Sequence, residues 1–216
     1  FPSLKEKLKN TSPVWRDSSL SMNARSYYFD RSRSPGDASE AWATGGWLAY
    51  KSGWWRDRLN FGATLHTSQK LYGPKDKDGT LLLEAGQNSF SVLGEAFVNA
   101  RLTENIVARV YRQSFNLPYV NRNDNRMIPN TFEAYTVMQP IASPVQWIAS
   151  HVTKIKQRNS DEFENMTKSA GLESNDDGLS MVGARYAFSK ETNIGAISQY
   201  TWDFMNTFYP EANWLE

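Results

Sequence analysis

RLNFGATLHTS, residues 58–68, alternates apolar with polar or small residues along its whole length. Successive side chains of an extended chain point to opposite faces, so this segment has one apolar face and one polar face. The apolar face carries Leu59, Phe61, Ala63 and Leu65. The opposite face carries Asn60, Gly62, Thr64 and His66. Such a strand fits a wall that separates lipid from a polar lumen.

Eight further segments alternate in the same way, which predicts nine strands. Their ranges are 18–30, 41–52, 58–68, 90–102, 106–112, 131–139, 145–156, 178–188 and 192–203. Strands of about 9–13 residues exceed the usual 5–6 of soluble sheets and suit a tilted membrane strand. In the fourth segment, a strict period of two places Val92 on the apolar face with Ala96 and Val98.

The connections between these segments alternate long and short, as in an antiparallel up-and-down barrel. We therefore expect short periplasmic turns and long extracellular loops. Residues 1–17 do not alternate, and we interpret them as a periplasmic N-terminal lead-in. The predicted fold class is all-β, a transmembrane β-barrel wall.

Composition narrows the alternatives. The 216 residues contain no cysteine, carry a formal net charge of +1 and have a mean hydropathy of −0.60. No apolar stretch approaches the roughly 18 residues of a helical membrane span. The eight Trp and ten Tyr suit membrane interfaces, although a soluble carbohydrate-binding sandwich would share this excess. The near-zero charge offers no electrostatic case for nucleic acid.

Residues of enzymatic type are sparse. The only histidines, His66 and His151, lie on distant segments without neighbouring metal ligands. Phosphate-binding glycine loops, nucleophile elbows and cysteine nucleophiles are missing from the sequence. We therefore expect neither an enzyme nor a cofactor or metal site.

The long connection around residue 125 identifies a family resemblance. NRMIPNTFE at 125–133, preceded by PYVN at 118–121, resembles the third-loop region of the OprD-type outer-membrane porins. Collinear motifs elsewhere agree, including RSYYF at 25–29, WLAYKSG at 47–53 and DGTLLL at 78–83. The resemblance covers about residues 17–214.

This resemblance implies an 18-stranded monomeric barrel that passes small carboxylates and amino acids through a narrow eyelet. With about nine strands of a probable 18, residues 18–216 are then the N-terminal half of a transmembrane barrel. An open sheet would leave unpaired strand edges in lipid, which is very costly. A fragment, a truncated gene and a homodimer of half-barrels stay open.

In the family resembled, the third long loop folds inward, and here that loop is 113–130. Pro118 and Pro129 stiffen its two ends. We expect four of its residues to face the solute: Tyr119, Arg122, Asp124 and Arg126. A solvated surface loop is the alternative.

The resemblance also implies lumen arginines that guide anions, since guanidinium is permanently charged and binds carboxylates bidentately. The predicted pore-lining residues are Arg25, Arg101, Arg109, Arg185, Glu95 and Tyr111. In the alternative interpretation, these arginines are structural and pair with Glu95, Glu133 and Asp203.

The resulting functional hypothesis is a porin in the outer membrane of a Gram-negative bacterium. It would pass anionic or zwitterionic solutes such as carboxylates, amino acids and short peptides. Its partners would be these solutes, membrane lipid and lipopolysaccharide, and the complete barrel would be monomeric or a loose trimer. A plugged barrel acting as a scaffold or adhesin is the alternative, and a soluble carbohydrate binder is a third class.

Overall fold

The computed structural model describes residues 6–32, 38–139, 143–172, 177–189 and 191–214. The strands are β1 (Ser19–Arg31), β2 (Ser39–Lys51), β3 (Leu59–Tyr72), β4 (Phe90–Arg101), β5 (Val107–Gln113), β6 (Thr131–Met138), β7 (Val145–Lys156), β8 (Glu164–Asn165), β9 (Leu179–Ala187), β10 (Asn193–Thr201) and β11 (Met205–Asn213). Short helices occupy α1 (Pro13–Arg16) and α2 (Met166–Ser169), and Lys75–Lys77 form a 3-10 turn. No helix among the described residues combines the length and apolar character of a membrane-spanning helix.

Each full-length strand pairs antiparallel with the next one along the chain, and the two-residue β8 pairs with β7. This is the predicted up-and-down order. Within the described residues, β1 pairs only with β2 and β11 only with β10. The sheet is therefore open and forms part of a barrel.

All nine predicted strands are present, and β11 is an additional full-length strand. The turn between β10 and β11 has only three residues, and Asp203 adopts a left-handed φ of 52° in it. Pro210 lies inside β11 opposite Ala196. A proline argues against assigning a strand. The tight turn also departs from the alternation of long and short connections. For these two reasons the sequence pattern predicted one strand fewer than the structure contains.

The sheet buries its polar face and exposes its apolar face. On β3, Asn60, Thr64 and His66 are buried, whereas Phe61 and Leu65 are 43% and 48% exposed. We call the side that carries Asn60 and His66 the inner face, and the opposite side the outer face. A soluble sandwich has the reverse arrangement, because its apolar face forms the core.

A β-bulge at Gly94 changes the facing of one predicted residue. Thr64 pairs with Glu95 and Leu65 pairs with Leu93, so Gly94 is the extra residue of β4. The predicted facing of Val92 is wrong: this side chain is buried on the inner face. Glycine is required at the bulge, because a Cβ at position 94 would lie 2.2 Å from the Nδ1 atom of His66.

Apolar packing occurs where loops cover the inner face. One buried cluster comprises Ala41, Ala43, Leu82, Leu83, Phe90, Val92, Met127 and Ile128. The other comprises Phe115, Val120, Phe132, Ala134, Val152, Leu179, Met181 and Ile197. Both clusters contain residues of the β5–β6 connection.

The N-terminal lead-in contacts the end of the sheet where the short turns lie. The backbone N–H of Gly53, in the β2–β3 turn, donates to the carbonyl of Val14 at 2.9 Å. A Cβ at position 53 would lie 2.0 Å from the carbonyl oxygen of Pro13. Glycine therefore permits this close approach. Residues 1–5 of the predicted lead-in lie outside the described residues.

Candidate functional site

The β5–β6 connection, residues 114–130, crosses the inner face of the sheet. Its first half packs against β9 and β10, where Phe115 and Val120 join the cluster that contains Leu179 and Ile197. Its second half packs against β2, where Met127 and Ile128 contact the cluster of Ala41 and Ala43. We call these residues the crossing loop. The predicted loop began one residue earlier, at Gln113, which ends β5.

Arg25 on β1 fastens one side of the crossing loop. Its Nη1 and Nη2 atoms donate to the two carboxylate oxygens of Asp124 at 2.5 and 3.0 Å. Nη1 also donates to the carbonyl of Arg126 at 2.9 Å, and Nε donates to Asn23 Oδ1 at 2.6 Å. The Arg25 guanidinium is therefore committed to holding the loop.

Asp124 is held by a second cation from within the loop. Arg122 Nη2 donates to Asp124 Oδ2 at 2.8 Å. Burial alone would raise the pKa of the Asp124 carboxyl, but the hydrogen bonds and charges of Arg25 and Arg122 outweigh it. They hold that pKa below its ordinary value. The carboxylate therefore stays ionised and keeps the loop attached to β1.

Contacts with β10 and β11 fasten the other side of the loop. Gln199 Nε2, on β10, donates to the carbonyl of Pro118 at 2.6 Å. The ring of Tyr119 stands edge-on to that of Tyr209 on β11, with centroids 6.1 Å apart. Tyr119 is nevertheless 69% exposed. Most of this side chain is therefore exposed to solvent on the inner face.

The end of β7 supports the crossing loop from a third direction. Lys156 is fully buried, and its Nζ donates to the carbonyls of Pro129 at 3.0 Å and Gln157 at 2.9 Å. The backbone N–H of Arg158 donates to Asn130 Oδ1 at 2.8 Å, and its side chain donates to Asn125 Oδ1. These contacts order the last third of the loop.

The β3–β4 connection, residues 73–89, forms a second layer on the inner face. Ser68 Oγ donates to the carbonyl of Leu82 at 2.6 Å, and Arg126 Nε donates to that of Thr80 at 3.1 Å. Sequence reasoning did not assign this connection to the site. The DGTLLL motif contained the signal, because consecutive leucines in a polar connection indicate burial. Leu82 and Leu83 are buried, whereas Leu81 is exposed.

Arg109 and Glu95 lie on the inner face, as predicted from the sequence. Arg109 Nε donates to Asn99 Oδ1 at 2.8 Å, and its guanidinium lies 4.3 Å from the ring centroid of Phe97. Glu95 Oε2 accepts a hydrogen bond of 3.1 Å from Thr64 Oγ1. A fixed cation and a fixed anion therefore share this part of the wall.

The other predicted arginines lie nearer the short-turn end. Arg101 stacks on Trp54, with its guanidinium 4.2 Å from the ring centroid. Arg185 pairs in register with Gly195 and lines a cavity beneath the crossing loop. The four predicted arginines therefore occupy separate regions of the wall.

Tyr111 has a left-handed φ of 80°, although the register of β5 continues through it without a shift. Tyr111 pairs with Phe97 and Ala134 and is half exposed.

The next residue, Arg112, donates to Glu133 Oε1 at 3.1 Å, and Lys154 lies 3.7 Å from the other oxygen. Glu133 is thus paired with two cations that sequence reasoning did not select.

Comparisons with known proteins agree with this geometry. A family model described as "outer membrane porin, OprD family" matches residues 14–214. The structure of Pseudomonas aeruginosa OccK9 (OpdG) is similar, with a TM-score of 0.79 and 24% identity over 92% of this chain and 54% of that chain. A BenF-like porin from Pseudomonas fluorescens Pf-5 has a TM-score of 0.76 and 23% identity over 91% and 52%.

Pseudomonas aeruginosa OpdK, solved with vanillate, has a TM-score of 0.73 and 20% identity over 91% of this chain and 52% of that chain. No curated protein sequence matches the chain. The chain spans about half the length of these solved structures.

Proposed function

The chain belongs to the OprD family of outer membrane porins, and we propose that it forms one half of the wall of a diffusion channel for small solutes. Membership places it in the outer membrane of a Gram-negative bacterium. The exposed apolar outer face then contacts lipid, and the inner face lines the lumen. Short turns would face the periplasm and long loops the exterior.

The proposal includes a second half of the barrel. Two unpaired strand edges cannot persist in lipid, because backbone N–H and C=O groups find no water there. The solved relatives are about twice as long as the region that this chain matches. Residues 18–216, with ten full-length strands, would thus be the N-terminal half, or slightly more, of an 18-stranded barrel.

The observation that carries the proposal is the attachment of the crossing loop at both sides. A loop fastened to β1 by Arg25 and to β10 by Gln199 spans the inner face. In a closed barrel such a loop narrows the lumen, so we assign the eyelet to the crossing loop, residues 114–130. Of its predicted residues, Tyr119, Arg122 and Arg126 would contact the solute, while Asp124 holds the loop.

The solutes proposed are small carboxylates, amino acids and short peptides. Arg101, Arg109 and Arg185 place permanent positive charge along the inner face, and a cationic lining selects anions. We assign Arg25 to attachment of the loop, because its guanidinium already pairs with the Asp124 carboxylate. The relative OpdK was solved with vanillate.

The test is the ion selectivity of the complete barrel in planar bilayers. Arg109→Gln should lower the anion-to-cation permeability ratio by about twofold or more, because it removes a lumen charge. Arg56→Gln is the matched control, since Arg56 lies in the β2–β3 turn. Unchanged selectivity in Arg109→Gln would refute the anion-guiding role.

A plugged barrel that serves as a scaffold is the second candidate. The observation in its favour is that three of the long connections interlock: Arg126 contacts Thr80, and the N–H of Asp161 donates to Glu84 at 2.8 Å. A plugged barrel would insert into bilayers without conducting. Single-channel recording of the complete barrel separates the two functions.

A further inference from the structure

A cavity of about 370 Å³ lies on the inner face at the short-turn end of the sheet. Leu117 and Pro118 of the crossing loop cover it, and β7, β9, β10 and β11 form its floor. Sites for small ligands begin at about 300 Å³, so the space suits an amino acid or a short peptide.

One row of the sheet gives this cavity two opposite charges. Gln146, Arg185, Gly195 and Glu211 are successive register partners on β7, β9, β10 and β11. All four line the cavity. Adjacent strands are about 4.8 Å apart, so the Cα atoms of Arg185 and Glu211 are separated by roughly 10 Å.

Gly195 leaves the space between the two charges open. A Cβ at this position would lie 3.2 Å from the Ala184 carbonyl oxygen and 3.4 Å from the Arg185 Cβ. Among the described residues, Arg185 and Glu211 make no ion pair with each other or with a third group. Both charges therefore remain available to a ligand.

The rest of the lining is mostly apolar. Leu117, Ile148 and Ile197 contribute aliphatic surface, and Tyr209 contributes an aromatic ring. A ligand that fills the cavity therefore needs an apolar body as well as charged ends.

We propose that this cavity is a binding subsite for zwitterions with apolar side chains, such as short apolar peptides. The Arg185 guanidinium would bind the ligand carboxylate bidentately, and the Glu211 carboxylate would accept hydrogen bonds from its ammonium group. The ligand would span the gap above Gly195. The inference rests on the proposed channel function, because the solute reaches the cavity through the lumen.

Glu211 makes this subsite different from a simple anion site. A carboxylate near the bound solute repels a monoanion and attracts an ammonium group, so selectivity arises from repulsion as well as attraction. A ligand that lacks the ammonium group would be attracted by Arg185 but repelled by Glu211. A ligand that lacks the carboxylate would be attracted by Glu211 but repelled by Arg185.

Three probes and two variants test the proposal on the complete barrel in detergent micelles, with affinities measured by titration calorimetry. L-leucyl-L-leucine should bind about tenfold more tightly than its N-acetylated form or its C-terminal amide, since each capped form loses a charged hydrogen-bonding group. Glu211→Gln should weaken binding of the dipeptide but not of the acetylated form. Arg185→Gln should weaken binding of the dipeptide but not of the amide.

Asp203→Asn is the control, because it removes a carboxylate from the β10–β11 turn at the opposite end of these strands. Single-channel recording of each variant confirms that the barrel is folded. Equal affinities for the three probes would overturn the subsite, and so would dipeptide binding that neither variant weakens. Conduction by the same barrel would still support the channel. A barrel that binds the dipeptide but does not conduct would instead refute the channel and retain the subsite.

Discussion

Arg25 and Asp124 are 99 positions apart in the chain and are joined by two hydrogen bonds, of 2.5 and 3.0 Å. This pair connects the first strand to the middle of the crossing loop. Its side chains are only about one-fifth to one-quarter exposed. Charge-assisted bidentate pairs of this kind are among the stronger contacts in proteins, so the pair is a sensitive point of the structure.

Arg25→Gln should release the crossing loop from β1. We expect larger and noisier single-channel conductance, because the loop would leave the lumen part of the time. Asp124→Asn should give a similar result, and the double variant should add little, since both changes break one contact. Arg31→Gln, on the same strand and the same face, is the control. Quiet, wild-type conductance in Arg25→Gln would contradict the assignment.

The loop should stay attached in mildly acidic solution. The pKa of Asp124 is lower in the folded protein than its ordinary value of 3.8. The stabilisation is therefore complete above that ordinary value and is lost only as the pH falls through the lower folded pKa. Conductance noise should be constant from pH 7 down to the ordinary value of 3.8 and should rise only as the pH falls below it. Asp124→Asn should show the acidic behaviour already at pH 7.

Gly94→Ala should destabilise the barrel by about 1–3 kcal/mol, the usual cost of overpacking. The new Cβ would lie 2.2 Å from His66 Nδ1. His66→Ala should relieve the clash, so the double variant should be more stable than Gly94→Ala alone. Urea unfolding of the complete barrel in micelles measures the difference. Equal stability of Gly94→Ala and its double variant would show that His66 is not the constraint.

Removing residues 115–126 should raise the conductance several-fold if the crossing loop forms the eyelet. The same deletion should leave a plugged scaffold non-conducting, because the connection at 73–89 also covers the inner face. Heat-modifiable migration on gels checks that the deleted protein still folds. The size of single-channel steps then distinguishes the two functions.

The strands could be predicted because their signal is local. In β3, the alternation of eight consecutive residues indicates which face is apolar and which is polar, and no distant residue is needed to interpret it. The pattern failed where the backbone departed from a period of two. The Gly94 bulge turned Val92 inward. A count of apolar residues does not encode this irregularity.

The site could be predicted only in outline. The motif at 125–133 and the family resemblance selected the loop that crosses the inner face, and with it Arg122 and Asp124. They could not pair Asp124 with Arg25, because that contact depends on how far the sheet curves around the loop. The loop contacts of Lys156 and Gln199 could not be predicted for the same reason: each lies in an ordinary strand position and contacts a carbonyl that only the folded loop presents.

Attachment of one loop to both β1 and β10 also determines the shape of the wall. Ten full-length strands form an arc, and residues 114–130 form a chord across it. Insertions between Pro118 and Asp124 would lengthen that chord and let the arc flatten. The length of this loop, as well as the number of strands, therefore limits how far β1 and β10 can move apart.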